Sequence, residues 1–270
     1  MSVEEFRAEV GKKERFEFGK NWKNFLTQLN EQRIRQAELS LKDMLEVENL
    51  EGKSFLDIGN GSGLFSLAAR NLGANVTSFD YDEASVWCTS ELKRRYHAES
   101  EHWKVMHGSV LDNDFLSTLG EFDFVYSWGV LHHTGNMWQA LRNVVPLVKQ
   151  DGVLFIALYN DQQFVSRYWT FVKKAYNRIP LTRPLWILLH GLYPTLPSVL
   201  LKLMQKRKAP RGMTVWYDLL DWLGGYPFEV STPKDIFDFF KERNFLLRQL
   251  KTVGGRLGCN EFVFRRTICN

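Results

Sequence analysis

At 270 residues, with 44% hydrophobic and 14% aromatic content, the chain has ample apolar surface for a folded core, which excludes the disordered class. Three cysteines, Cys88, Cys259 and Cys269, make no CxxC pair, so neither a disulfide framework nor a thiolate metal site is expected. The net charge of +4 is unevenly placed: ten basic residues stand against the single acid Asp161 within 161–215, and the rest of the chain is acidic.

Met1 to Lys13 is charged and lacks the apolar run of a secretory signal, so a cytoplasmic location is expected. Residues 14–50 read as helices, with Phe25, Leu26, Leu29, Ile34, Ala37, Leu39, Leu41 and Leu45 at mixed three- and four-residue steps. Strands then alternate with helices. Strands are expected at Ser54–Ile58, Asn75–Phe79, Trp103–His107, Phe122–Ser127 and Gly152–Leu158, and helices at 64–72, 83–97, 113–119 and 136–148. Apolar runs without alternation suit a mostly parallel sheet buried on both faces. Residues 161–230 interrupt the series with aromatic and basic residues at helical spacing. Pro184, Pro194 and Pro197 break the apolar run there, leaving no span of about 20 residues for a membrane crossing. Thr232-Pro233 is a helix start, and two strands at about Leu246–Val253 and Glu261–Arg265 read as a closing hairpin. The expected organisation is an N-terminal helical lid segment (1–50), a ligand-binding core (51–160), a basic aromatic helical insertion (161–230), and a helix and hairpin (231–270) that complete the sheet.

The run Asp57-Ile58-Gly59-Asn60-Gly61-Ser62-Gly63 carries the chemistry. A short strand feeds alternating glycines, a helix follows, and the next strand ends in Asp80; this is the nucleoside-binding unit of doubly wound folds. The spacing differs from the G-x-G-x-x-G of dinucleotide sites. A pyrophosphate seeks bare amides at a helix N-terminus, which a carboxylate would oppose, whereas a cationic ligand with an α-amino group would welcome Asp57. With "LDIGNGSG", "FDYD" and "SWGVLHHTG", the chain resembles class I S-adenosylmethionine (SAM) dependent methyltransferases of small-molecule type, such as those acting on quinone precursors and cell-surface sugars. The resemblance implies a doubly wound, seven-stranded, mostly parallel Rossmann-like sheet whose last strand runs antiparallel, with SAM as methyl donor.

The resemblance also implies roles. Asp57, Gly59, Asn60, Gly61 and Gly63 would hold the methionine end, and Asp80 the ribose diol. Tyr81 would pack on adenine, or be an ordinary loop residue, and Asp82 would cap the following helix. Ser109 stands where relatives often carry an adenine-binding acid; it, with Val110 or the nearby Asp112, would face the adenine, and Ser127 would border the cofactor. His132 or His133, after strand four, would act as general base on a hydroxyl, the other packing or capping. Tyr159 and Asn160 line the acceptor pocket or form a turn. Phe18, Trp22, Arg167 and Tyr226 are also expected at the substrate: Phe18 and Trp22 in a lid, or else a hydrophobic staple, Arg167 in the insertion that covers the acceptor, and Tyr226 in a stretch of aromatics, glycines and acids that forms pocket wall or a return loop.

No Asn-Pro-Pro-Tyr tetrad follows strand four, and no cluster spaced for a metal is evident. The expected activity is O-methylation of a small or lipid-linked acceptor, a quinone precursor or glycolipid, in a cytoplasmic protein that is peripheral at the membrane. The basic insertion suits an anionic amphiphilic substrate, an acidic membrane surface, or a solvated helical cap; nucleic acid is not the expected partner. The alternatives are an RNA-directed methyltransferase, a non-catalytic SAM-binding docking protein, and an NAD-dependent oxidoreductase.

Overall fold

A computed structural model describes residues 3–12, 15, 26, 29–190, 222–254 and 257–267. Seven strands form one sheet: β1 (Ser54–Ile58), β2 (Asn75–Asp80), β3 (Trp103–His107), β4 (Phe122–Trp128), β5 (Val148–Tyr159), β6 (Phe245–Lys251) and β7 (Cys259–Arg266). Their order is β3-β2-β1-β4-β5-β7-β6. Strands β1 to β5 pair in parallel, and β7 is antiparallel to both β5 and β6. This is the doubly wound architecture expected from the alternating pattern.

The described helices are α1 (Val3–Gly11), α2 (Glu31–Leu45), α3 (Leu64–Asn71), α4 (Glu83–Tyr96), α5 (Asn113–Ser117), α6 (Met137–Val144), α7 (Phe164–Arg178) and α8 (Pro233–Lys241). Local chemistry sets their starts. The Asn30 side chain accepts from the Arg33 amide, Asp82 from Ala84, and Thr232 forms a reciprocal capping box with Asp235 ahead of Pro233. Asp112 caps α5 in the same way, so its carboxylate is committed to Phe115 N–H.

The sheet divides two apolar clusters. Leu56 and Ile58 of β1 point to the side of α6 and α8, and Phe55 to the side of α2, α3 and α4. Because strand residues alternate faces, Asp57 shares the side of Phe55. One strand differs from expectation: β5 begins at Val148 rather than Gly152. Val148 pairs with Phe122, and the irregularity between Phe122 and Phe124 accommodates the polar Lys149-Gln150-Asp151 stretch.

The glycine turn is sterically closed as well as conformationally demanding. Gly59, Gly61 and Gly63 have φ of 74°, 51° and 79°. A Cβ on Gly63 would lie 2.8 Å from the backbone Cα of Thr89 on α4. Gly63→Ala is therefore expected to cost about 1–3 kcal/mol, read as a lower denaturation midpoint; an unchanged midpoint would mean that α4 does not pack this closely.

Candidate active site

Parallel register places the chemistry at the carboxyl ends of β1, β2, β4 and β5, the edge where doubly wound sheets bind ligands. At the glycine turn the protein already uses most backbone donors. Gly59 and Asn60 N–H donate to Phe79 O, Gly63 N–H to Asn60 O, and Gly61 N–H to Asp80 Oδ2 at 2.9 Å. Few bare amides remain for a pyrophosphate, and two carboxyl groups stand beside the turn. Asn60 is buried, and both polar atoms of its amide lack a partner among the described residues. Orphaned polar atoms of this kind mark a place built for a ligand's polar end.

Asp57 is 2% exposed, and its Oδ2 accepts from Ser66 Oγ at 2.5 Å. Burial, with the neighbouring Asp80 charge, lifts its carboxyl from 3.8 to about 7 against the pull of Ser66. Asp80 is lifted to about 6 by burial, opposed by the amides of Asp82 and Gly61. Asp80 thus braces the turn through the Gly61 and Asp82 amides. Tyr81 follows it; burial and the Glu9 charge push its hydroxyl up to about 12, and the Arg15 guanidinium lies 5.2 Å over its ring.

The remaining expected cofactor residues have structural tasks. Ser109 Oγ accepts from Leu111 N–H, and Asp112 N–H donates to Ser109 O, so Ser109 shapes the turn after β3. Val110 lies in the apolar core, its carbonyl accepting from Asn143, which leaves only its backbone for a ligand. Ser127 is fully buried and donates to Ile58 O, stapling β4 to β1.

After β4, a turn of 3₁₀ helix (Leu131–His133) sets two histidine rings 4.5 Å apart. Backbone partners give them opposite tautomers. Tyr159 N–H donates to His132 Nδ1 at 3.3 Å, so the neutral ring carries its proton on Nε2, which is buried with no partner among the described residues. His133 Nδ1 lies 2.6 Å from Pro227 O; a carbonyl only accepts, so Nδ1 carries the proton and Nε2 the lone pair. Burial holds His132 well below its usual value, with His133 and Lys173 adding to it. Burial, helped by Lys173 and Arg15 and opposed by the Pro227 carbonyl, pushes His133 down to about 3.

Aromatic rings wall this pair. The Tyr159 ring lies 4.0 Å from His132, 5.0 Å from Phe228 and 5.6 Å from Trp222. Trp222 continues to Trp169 at 5.2 Å, and Trp169 to His190 at 4.8 Å. Lys173 of α7 is fully buried, donates to Trp222 O, and sits 4.2 Å over the Trp222 ring. Arg15 donates to His133 O and Thr134 O, tying the N-terminal segment to the histidine turn.

Of the expected acceptor residues, Tyr159 joins this wall. Asn160 is engaged with Gly254, Gly258 and Asn260, fastening β5 to the return strand. Arg167 is exposed on α7, Tyr226 is partly buried beside Pro227, and Phe18 and Trp22 lie outside the described residues. Sequence reasoning missed Lys173, Pro227, Phe228 and Arg15. Two of them stood in a stretch already singled out for its aromatics, but the burial of Lys173 had no signal among ten similar cations.

A family model described as a methyltransferase domain matches residues 29–188. The chain belongs to this methyltransferase family. Family match and sheet topology agree with the resemblance to class I SAM-dependent methyltransferases. The ubiquinone biosynthesis O-methyltransferase of Glaesserella parasuis serovar 5 is 33% identical over 120 residues, 43% of this chain and 49% of that protein. The chain thus spans about half the length of this curated relative. Among solved structures, Synechocystis PCC 6803 magnesium protoporphyrin IX methyltransferase with bound SAH aligns at a TM-score of 0.52 and 15% identity, covering 89% of each chain. A Burkholderia thailandensis 1,6-didemethyltoxoflavin-N1-methyltransferase aligns at 0.50 and 15% identity, covering 99% of this chain and 92% of that one. At these identities the structural likeness bears on fold alone.

The carboxyl chemistry of the turn gives this methyltransferase a pH signature. The Asp57 carboxyl is raised above its unfolded value of 3.8, so its contribution to stability is fully present below that value and is lost as pH rises through about 7. The ligand-free protein is expected to lose melting temperature between about pH 5 and about pH 7.5, and Asp57→Asn to reduce that slope. An equally steep slope in the variant would show that Asp57 ionises freely.

Proposed function

We propose that this methyltransferase transfers a methyl group to a hydroxyl oxygen of a small, flat, apolar acceptor, a phenolic quinone precursor being the favoured class. The observation that carries this reading is His133: a half-buried, neutral imidazole with Nδ1–H held by Pro227 O and its lone pair on Nε2, beside a wall of rings. Bound SAM supplies an electrophilic methyl carbon on a cationic sulfur. The chain's own residues hold it and align the acceptor. Asp57, Asn60 and the glycine turn receive the methionine end, Asp80 the ribose, and Tyr81 under Arg15 borders the base. Tyr159, Phe228 and Trp222 grip the acceptor ring, and His133 Nε2 takes the hydroxyl proton as oxygen attacks. The charges of Lys173 and Arg15, which act on His133, also favour a developing phenolate. His132, whose Nε2 carries its proton, is a donor to the acceptor rather than a base. Arg15 supports the lid reading of the N-terminal segment, because it bridges Tyr81 and the histidine turn. The relatives named for ubiquinone biosynthesis agree with a phenolic acceptor.

His133→Gln is expected to lower kcat by roughly 10²–10⁴-fold while SAM affinity stays within about twofold. A variant with full turnover would remove His133 from the chemistry. Because His133 is neutral down to about pH 3, no loss of rate near the usual histidine pKa should come from this residue; a histidine titration there would contradict its burial.

A second reading concerns where the acceptor is met. Phe164, Phe171, Leu181, Leu185 and Leu188 are exposed beside the exposed cations Arg167, Lys174 and Arg178. Apolar side chains with flanking cations suit an anionic bilayer surface, and a lipid-linked acceptor would be captured there. No helix among the described residues is long and apolar enough to cross a membrane. The protein is expected to float with phosphatidylglycerol vesicles and not with phosphatidylcholine vesicles; equal partitioning to neither would reduce this face to a solvated cap.

A further inference from the structure

A chain of buried hydrogen bonds runs through the apolar side of the sheet and ends on Asp57. Asp57 and Ser78 are register neighbours on β1 and β2, and Ser66 of α3 reaches between them. Trp103 Nε1 lies 3.0 Å from Ser78 Oγ, the Ser78 and Ser66 hydroxyl oxygens are 2.7 Å apart, and Ser66 Oγ donates to Asp57. Ser66, Ser78 and Trp103 are all fully buried.

The donors can be ordered from chemistry alone. An indole N–H only donates, so Ser78 Oγ accepts from Trp103. Ser66 has its hydrogen on Asp57, so the hydrogen shared by the two serines belongs to Ser78. Every hydrogen in the chain therefore points toward the carboxyl group, and each bond polarises the next in a setting of low dielectric. The Ser66 amide donates to Asp57 as well.

Burying four polar side chains in an apolar layer is costly unless the arrangement serves something. The β1–β2 ladder is complete without them, and apolar residues would fill this layer equally well. We propose that Ser66, Ser78 and Trp103 are a positioning relay that holds Asp57 ready to ionise, and so sets the pH range in which the glycine turn accepts the cationic methionine end of the methyl donor. This rests on the SAM site described above.

The surroundings contain little else to do so. Asp80, at the end of β2, is the charged group that acts on Asp57 among the described residues, and it opposes ionisation. Tyr126, the register neighbour on β4, and Cys88 of α4 are the other titratable groups in that apolar cluster. Without the relay, burial and Asp80 would both favour the protonated carboxyl. With it, ionisation is brought to within reach of neutral pH, and a bound cation completes it. Binding then releases a proton to solvent below about pH 7.

Titration calorimetry with SAM across about pH 5.5 to about pH 8.5 tests this. Affinity of the intact protein should rise up to about tenfold per pH unit and level off above about pH 7. In Ser78→Ala the levelling point should move upward, so that affinity is about three- to tenfold weaker at pH 7 and within about twofold at pH 8.5. Trp103→Phe keeps a buried ring, removes only the first donor, and should shift the levelling point in the same direction if Ser78→Ala does not fold. A uniform loss at every pH would mean a merely structural role and would overturn the relay. An unmoved levelling point in folded variants that bind SAM would overturn it too, leaving the cofactor site intact. Absence of SAM binding by the intact protein at all pH values would overturn the site reading and the relay together.

Discussion

Desolvation at the carboxyl edge of the sheet is the constraint on which the rest of this site depends. Asp57 and His132 are buried and Asp80 and His133 half-buried at this edge, and desolvation is the largest influence on each. Carboxyls are pushed up and imidazoles down, so the four groups drift toward neutrality. What keeps them useful is a backbone or hydroxyl partner at one atom of each: Gly61 N–H for Asp80, Ser66 Oγ for Asp57, Tyr159 N–H for His132, Pro227 O for His133. A cationic ligand bound at the turn would restore the charge that folding removes from the carboxyls. The two histidines remain neutral, one able to give a hydrogen bond and the other able to take a proton.

Much of this was legible in the sequence where local rules operate. The glycine turn needs left-handed φ at alternate positions, and only glycine meets that without strain, so its place was readable from spacing. Asp82 and Thr232 announced helix starts because their caps are local. Ser66, Ser78 and Trp103 are 37 residues apart in sequence at most and look unremarkable there. Their relation exists only once β2 and β3 lie beside β1 and α3 packs over them. Lys173 resembled nine other cations of the insertion, and nothing local distinguishes a buried lysine from a solvated one. Asn160 looked like a pocket residue because it follows β5, yet the antiparallel return strand claims its side chain.

The wall around the histidines comes from two parts of the chain. Tyr159 and Trp169 fall within the match to the methyltransferase family, residues 29–188, whereas Trp222, Pro227 and Phe228 fall beyond it. The family portion thus carries the glycine turn and His133, and the segment outside it contributes the Pro227 carbonyl that faces His133 Nδ1 together with part of the ring wall.

Opposite tautomers in two adjacent neutral histidines are what the proposed role of His133 Nε2 as base requires. Nitrogen-15 NMR of the histidine side chains at neutral pH reads this directly. Protonation is expected at Nε2 of His132 and at Nδ1 of His133, with neither ring gaining a proton as pH is lowered from about 8 to about 5. An imidazolium at His133 in that range, or a proton on its Nε2, would contradict that role.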